Sequence, residues 1–202
     1  MEKKMSNNID IHFRSENSMW ETPQDLFEFL DSMFEFNLDA AACEEDKKCD
    51  IWLGPGSTVN EDSLKEEWTG RVWLNPPYGR GIGKWVQKAY ESSIRNGATV
   101  VCLLPARTDT KWFEHVWKAS FLCFIKGRLK FGGAETSAPF PSCIAVFGHN
   151  LPHDLEISML AAKGTIVRPM WLHNPMDEIR WDWLESRKEE REARTYIEDT
   201  EE

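Results

Sequence analysis

The chain has 202 residues, 41% of them hydrophobic, enough for one domain of ordinary size with its own core and too few for a second full one. Its net charge of -10 excludes a uniformly basic nucleic-acid binder, and no apolar run is long enough to span a bilayer. The opening MEKKMSNNIDIHF lacks the apolar centre and cleavage site of a signal peptide, so a cytoplasmic protein that makes no use of a membrane is expected.

Residues 1–18 are polar and aperiodic and read as a disordered arm. Trp20-Glu21-Thr22-Pro23 then reads as a helix start, with Thr22 as N-cap and Pro23 at the first helical position. Leu26, Phe27, Leu30, Met33 and Phe34 recur at helical spacing behind it. Phe36 to Ala42 predicts a short strand ending in Asp39 and small residues, which would let a ligand approach the backbone, although Asp39 also suits a turn or a cap. Residues 43–61 are polar and broken by Gly54-Pro55-Gly56, so a long loop is expected. Asp62 either caps a helical turn ending near Trp68 or contacts a ligand.

Val72, Trp73 and Leu74 read as the end of a buried strand, stopped by Asn75-Pro76-Pro77-Tyr78, where two prolines remove the hydrogens needed for ladder pairing. A carboxamide, carbonyls and an aromatic ring at a strand's carboxyl end suit a flat ligand bearing an amine, such as a nucleobase. Gly79, Gly81 and Gly83 form a connector without the spacing of a phosphate-binding loop. A helix is expected over Lys84 to Arg95, a doubly buried strand over Ala98 to Leu104, and a helix over Asp109 to Lys118. Strands are expected over Phe121 to Ile125 and Cys143 to Phe147, with a glycine-rich loop between them. Beyond Gly148 a helix is expected over His153 to Ala162, a strand over Thr165 to Val167, and a helix after Asn174-Pro175 carrying Trp181 and Leu184 into an acidic tail. The alternation predicts an α/β three-layer sandwich with a mostly parallel sheet and a late antiparallel strand.

Residues 70–130 carry 11 basic and 3 acidic side chains, against 6 and 17 in residues 1–69, so a positive surface beside the Asn-Pro-Pro-Tyr stretch is compatible with the acidic total. Solvated helix faces explain the same counts. Three of the five cysteines lie in apolar runs and read as buried reduced thiols, and no Cys or His spacing supports a metal site.

WETPQDLF, FNLDAAA, EDSL, WLNPPYG, WVQKA, VVCLLPARTDTKWF, KGRLKF and FPSCIAVF, in this order, resemble the S-adenosylmethionine-dependent amino-methyltransferases. More closely the chain resembles the small DNA N6-adenine methyltransferases, often encoded by phages and acting in the bacterial host cell. The resemblance runs from about Trp20 to Gly148 and implies a Rossmann-like catalytic domain over 19–150, with 151–202 as a C-terminal extension. It implies S-adenosylmethionine as cofactor and DNA, double- or single-stranded, as partner. It places Thr22 and Pro23 at the methionine carboxylate, Trp20 among the cofactor-binding residues, Asp39, Ala40 and Ala41 at the amino acid moiety, and Asp62 near the cofactor adenine. Asn75 and the Pro76 carbonyl would accept from the target amine, Pro77 would complete the catalytic turn, Tyr78 would stack on the target base, and Asn75 would also border the cofactor.

The chain departs from larger relatives in having Ala40-Ala41-Ala42-Cys43 in place of a glycine-rich turn after Asp39. Glu44, Glu45, Asp46 and Asp50 are alternative partners for the cofactor ribose. No segment is long enough for a sizeable target-recognition domain, so sequence specificity is low or comes from loops such as Gly132 to Pro141. Methylation of cytosine N4, of RNA or of a protein glutamine, and an inactive binding protein that keeps the fold, are the rival readings.

Overall fold

A computed structural model describes residues 20–132, 134–149, 151 and 163–169, all within the first of two units, Met1–Pro169. The expected arm, the helix over His153 to Ala162 and everything after Asn174 lie outside the described residues. Among the described residues no helix is long and apolar enough to cross a membrane.

The elements run α1 (Gln24–Phe34), β1 (Leu38–Asp39), a 3-10 turn (Ser63–Lys65), β2 (Arg71–Leu74), α2 (Ile82–Arg95), β3 (Thr99–Pro105), α3 (Phe113–Val116), β4 (Phe121–Ile125), β5 (Ser142–Phe147) and β6 (Gly164–Val167). They build an α/β protein around one mixed six-stranded sheet in the order β1-β2-β3-β5-β4-β6. The β1·β2 and β2·β3 pairs are parallel, whereas β3·β5, β5·β4 and β4·β6 are antiparallel. The late antiparallel pairing expected is present and extends over three of the five strand pairs. β5 inserts between β3 and β4 after a long connection, and residues 164–167 pair with β4 and extend the sheet past it.

Strict alternation along β3 serves two cores. Val100, Cys102 and Leu104 pack with Val86 and Ala89 of α2 and with Phe113 and Val116 of α3. Val101 and Leu103 pack with Trp73 and with Leu26, Phe27, Leu30 and Phe34 of α1. This double burial is why the strand reads as a continuous apolar run.

Three local differences from expectation bear on the site. Pro23 takes the N-cap position of α1 and no side chain caps the helix, so the Thr22 hydroxyl is released for another partner. The segment expected as a helix over Asp109 to Lys118 is wound mainly by bonds three residues apart, such as Phe113 N to Thr110 O at 3.0 Å, and only Phe113–Val116 is α-helical. The loop after β1 turns back: Asp39 N donates to Ile51 O at 3.0 Å, Leu53 N to Asp39 O at 2.9 Å and Ala42 N to Leu53 O at 3.0 Å. That return brings Gly54, with φ of 140°, so close that a Cβ there would lie 2.1 Å from the Ala42 carbonyl oxygen. Only glycine fits.

Candidate active site

The carboxyl ends of β1 and β2 open onto two adjoining clefts. The first is lined by Trp20, Thr22, Asp39 and Ala41 on one side and by Trp73, Asn75, Pro76 and Pro77 on the other, with Asp46 and Lys48 from the returning loop. The second is lined by Ala41, Ala42, Leu53, Gly54, Pro55, Glu61, Asp62, Ser63, Leu64, Pro77 and Trp85. Ala41 and Pro77 belong to both. The second cleft holds about 260 Å³ and is mainly apolar, whereas the first is narrower and mainly polar.

The end of β2 determines the Asn75 geometry. β2 stops where Pro76 and Pro77 cannot donate, and the Asn75 side chain turns back to the segment before α1. Its Nδ2 donates to the Trp20 carbonyl and, at 3.0 Å, to Thr22 Oγ1. A carbonyl can only accept, which fixes the amide end at Trp20 as the NH2. The opposite atom, Asn75 Oδ1, is buried and has no hydrogen-bond partner among the described residues. A buried acceptor without a donor is costly in a structural role and is expected where a ligand supplies the hydrogen.

Asp39 is 3% exposed, with Oδ1 accepting from Ala41 N at 3.2 Å and Oδ2 from Lys48 N at 3.0 Å. Burial dominates and lifts its carboxyl from the ordinary 3.8 to about 6, although both backbone bonds pull the other way. Lys48 reaches Gln24 Oε1 at 3.1 Å and stands 3.7 Å from a Glu21 carboxylate oxygen. The first cleft thus contains both signs of charge, the donor set for a zwitterion. Asp62 is exposed at the rim of the second cleft, where its 2.8 Å ion pair with Lys65 lowers its carboxyl from the usual range.

Tyr78 lies in neither cleft lining. Its ring meets Phe140 and Phe131 edge-on, with centroids 5.7 and 6.1 Å away, and Trp20 packs against the same two rings at 5.1 and 5.3 Å. Its hydroxyl donates to the Leu103 carbonyl at 3.1 Å, and burial holds the phenol well above its ordinary range, so that proton stays available. The register explains the bond. With Leu74 opposite Cys102 and Thr99 N donating to Gly70 O, the same register carried past the end of β2 sets residue 76 against the Leu103 carbonyl, and Pro76 carries no hydrogen. Tyr78 fills the ladder position that the proline vacates.

Of the residues picked from the sequence, Trp20, Thr22, Asp39, Ala41, Asn75, Pro76 and Pro77 come together in the first cleft and Asp62 stands in the second. Pro23, Ala40 and Tyr78 line neither; Ala40 is fully buried and accepts a hydrogen bond from Ser63 Oγ through its carbonyl. Among the four acids considered for the ribose, Asp46 lines the first cleft, while Glu44, Glu45 and Asp50 line neither. Sequence reasoning missed Lys48, Leu53, Ser63 and Trp85. The apolar Ile51-Trp52-Leu53 inside a polar stretch was the available signal that the loop rejoins the sheet.

Acid-bearing and Asn-Pro-Pro-Tyr strand ends stand side by side above linked polar and apolar clefts, where α/β enzymes hold their ligands. Residues 12–147 match the family described as DNA N-6-adenine-methyltransferase (Dam), and the chain belongs to that family. It is similar to the DNA N-6-adenine-methyltransferase of Haemophilus phage HP1, at 33% identity over 128 residues covering 61% of this chain and 71% of the relative. It is also similar to the protein of that description from Escherichia phage T1, at 36% identity over 99 residues, 47% of this chain and 39% of the relative's length. Methylation of adenine N6 in DNA is the reaction that the family's description names.

Proposed function

We propose that the methyl donor is S-adenosylmethionine, held across both clefts of a Rossmann-like three-layer domain, and that the target adenine enters flipped out or unpaired beside Asn75. Bound there, the donor supplies an electrophilic methyl group on a sulfonium. The donor set of the first cleft fits its amino acid end. Ionised Asp39, with Asp46 beside it, would hold the ammonium, and the Thr22 hydroxyl and the Lys48 ammonium would hold the carboxylate. Ala40 and Ala41 keep the strand end small. Leu53 and Trp85 offer apolar contact to the adenine ring in the second cleft, with Asp62 as a polar partner at its rim.

Adenine N6 is a poor nucleophile because its lone pair is delocalised into the purine. Asn75 Oδ1 and the Pro76 carbonyl would accept its two hydrogens, favour a pyramidal nitrogen and stabilise the positive charge that develops as N6 takes the methyl group, the sulfur keeping the bonding pair as a neutral thioether and one N6 hydrogen leaving as a proton. No covalent enzyme intermediate is required, and holding the amine in line carries much of the rate. A base inside a duplex cannot reach a cleft at a strand end, so it leaves the stack, and Tyr78 with its Phe131 and Phe140 neighbours offers aromatic surface in return.

The DNA side has an electrostatic correlate. β1, β2, β3 and β4 run in one direction, so the loops after β2, β3 and β4 share one edge of the sheet with the clefts. Those loops, 75–81, 106–112 and 126–141, carry exposed Arg80, Arg107, Lys111, Lys126, Arg128 and Lys130 against Asp109 and Glu135. Arg107 lies 5.9 Å above the Phe140 ring, which links the basic loops to the aromatic cluster around Tyr78. Such a face contacts phosphates in an otherwise acidic protein.

The observation that carries this reading is the buried, unpartnered Asn75 Oδ1 with its amide orientation fixed by Trp20. Calorimetry with S-adenosylmethionine, followed by methyl transfer to unmodified duplex and single-stranded DNA, tests it. Saturable binding lost in Asp39→Ala is expected; no binding, or binding indifferent to Asp39, contradicts it.

A further inference from the structure

Thr22 looks like a helix cap in the sequence, but Pro23 occupies the cap position and no side chain caps α1. Leu26 N and Phe27 N both donate to Pro23 O, each at 3.1 Å, so the first turn has no call on the hydroxyl. Thr22 is 4% exposed, and its Oγ1 accepts from Asn75 Nδ2 at 3.0 Å. The other acceptor of that amide group is the Trp20 carbonyl, two residues earlier on the same segment.

The segment itself is anchored. Gly132 N donates to Glu21 O at 2.9 Å, and the Trp20 ring is wedged against Phe131 and Phe140. One short stretch therefore presents two acceptors in fixed positions, and the Asn75 carboxamide docks on both. A carboxamide is nearly symmetric in shape, so its two ends are distinguished only by hydrogen bonding. An NH2 turned toward the target would set donor against donor and withdraw nothing from N6. With both Nδ2 hydrogens engaged, Oδ1 is held on the opposite side, buried and vacant.

We infer that Thr22 is a positioning residue for methyl transfer, acting through Asn75: its hydroxyl takes the second Nδ2 hydrogen and locks the carboxamide with Oδ1 toward the target amine. This rests on the reading of Asn75 as the acceptor for that amine. The Thr22 oxygen accepts from Asn75, and its own hydrogen remains for a donor carboxylate in the first cleft. The two roles separate kinetically: contact with the methyl donor appears in donor affinity, whereas control of Asn75 appears in the rate once both substrates are saturating.

Thr22→Val removes the hydroxyl while keeping the shape, and Thr22→Ser keeps the hydroxyl. Single-turnover methylation of unmodified DNA at saturating S-adenosylmethionine and DNA is expected to slow about tenfold or more in Thr22→Val, because a buried N–H loses its acceptor, and to recover to within about threefold in Thr22→Ser. Thermal midpoints of both variants check that the assay compares folded proteins. A Thr22→Val rate at saturation within about threefold of the parent, with only donor affinity weakened, overturns the inference, as does failure of Thr22→Ser to recover. Asn75→Ala run alongside separates the failures. If it is inactive while Thr22→Val is fast, only the positioning role falls; if it keeps the parental rate, the reading of Asn75 itself falls.

Discussion

Asp39→Asn separates stability from function at one position. At neutral pH the parent keeps a carboxylate in a site that is 3% exposed, where burial lifts its pKa from 3.8 to about 6. That rise corresponds to about 3 kcal/mol of destabilisation of the folded protein above pH 6. The sign follows from linkage. A carboxyl whose folded pKa is raised contributes its full stability below the unfolded value near 4, and that contribution is lost as pH rises through about 6. Asparagine removes the charge and keeps the shape, but it retains only one of two acceptors: either Ala41 N or Lys48 N then faces an NH2, a loss of about 1 kcal/mol or somewhat more. Relief exceeds loss, so Asp39→Asn is expected to be more stable than the parent at pH 8 by about 1 to 2 kcal/mol and to lose that advantage near pH 5. Denaturant melts at the two pH values measure this. Calorimetry on the same samples is expected to show S-adenosylmethionine binding weakened at least tenfold, because the ammonium has lost its counter-charge. A variant less stable than the parent at pH 8 would refute the burial argument, and unchanged donor affinity would refute the role given to Asp39.

Asn75→Ala is expected to lower methyl transfer by a factor of about 100 to 1,000, the usual cost of removing one preorganised polar contact to a developing charge, while donor binding by calorimetry persists. Tyr78→Phe loses the bond to the Leu103 carbonyl and is expected to cost about 1 kcal/mol in a denaturant melt with activity reduced only slightly, whereas Tyr78→Ala also removes the aromatic surface and is expected to abolish most activity. The reverse order of severity would assign the hydroxyl, and not the ring, to the reaction. Neutralising Arg107, Arg128 and Lys130 together is expected to weaken DNA binding and to reduce the salt dependence of log K by up to about 3, leaving donor affinity unchanged.

The sheet was legible in the sequence wherever a strand is buried on both faces. ATVVCLL, FLCFI and CIAVF mark β3, β4 and β5 to within about a residue, because continuous apolar runs of that length have few other uses. Their pairing was not legible: nothing in CIAVF says that β5 enters between β3 and β4, since strand order depends on the whole sheet closing over its helices. Asn75-Pro76-Pro77-Tyr78 was legible as an abrupt strand end, and the prolines also explain the Tyr78 bond to Leu103 that sequence reasoning did not foresee. Thr22 was misread as a cap because local preference cannot see a carboxamide 53 residues away. The second cleft was the least visible part. Leu53, Ser63 and Trp85 come from three segments without a shared motif, and they meet only because the loop after β1 returns to pair with Asp39 and Ala42.

The central claim is that a buried acceptor on Asn75 draws on the amine of an extruded adenine while a sulfonium methyl is delivered beside it. The most direct test is to incubate the protein with labelled S-adenosylmethionine and DNA free of methylated bases, digest the DNA to nucleosides and identify the labelled one. Label is expected in N6-methyladenine, incorporated about 100 to 1,000 times more slowly in the Asn75→Ala reaction. Label in N4-methylcytosine, or an Asn75→Ala protein that methylates adenine at the parental rate, would contradict it.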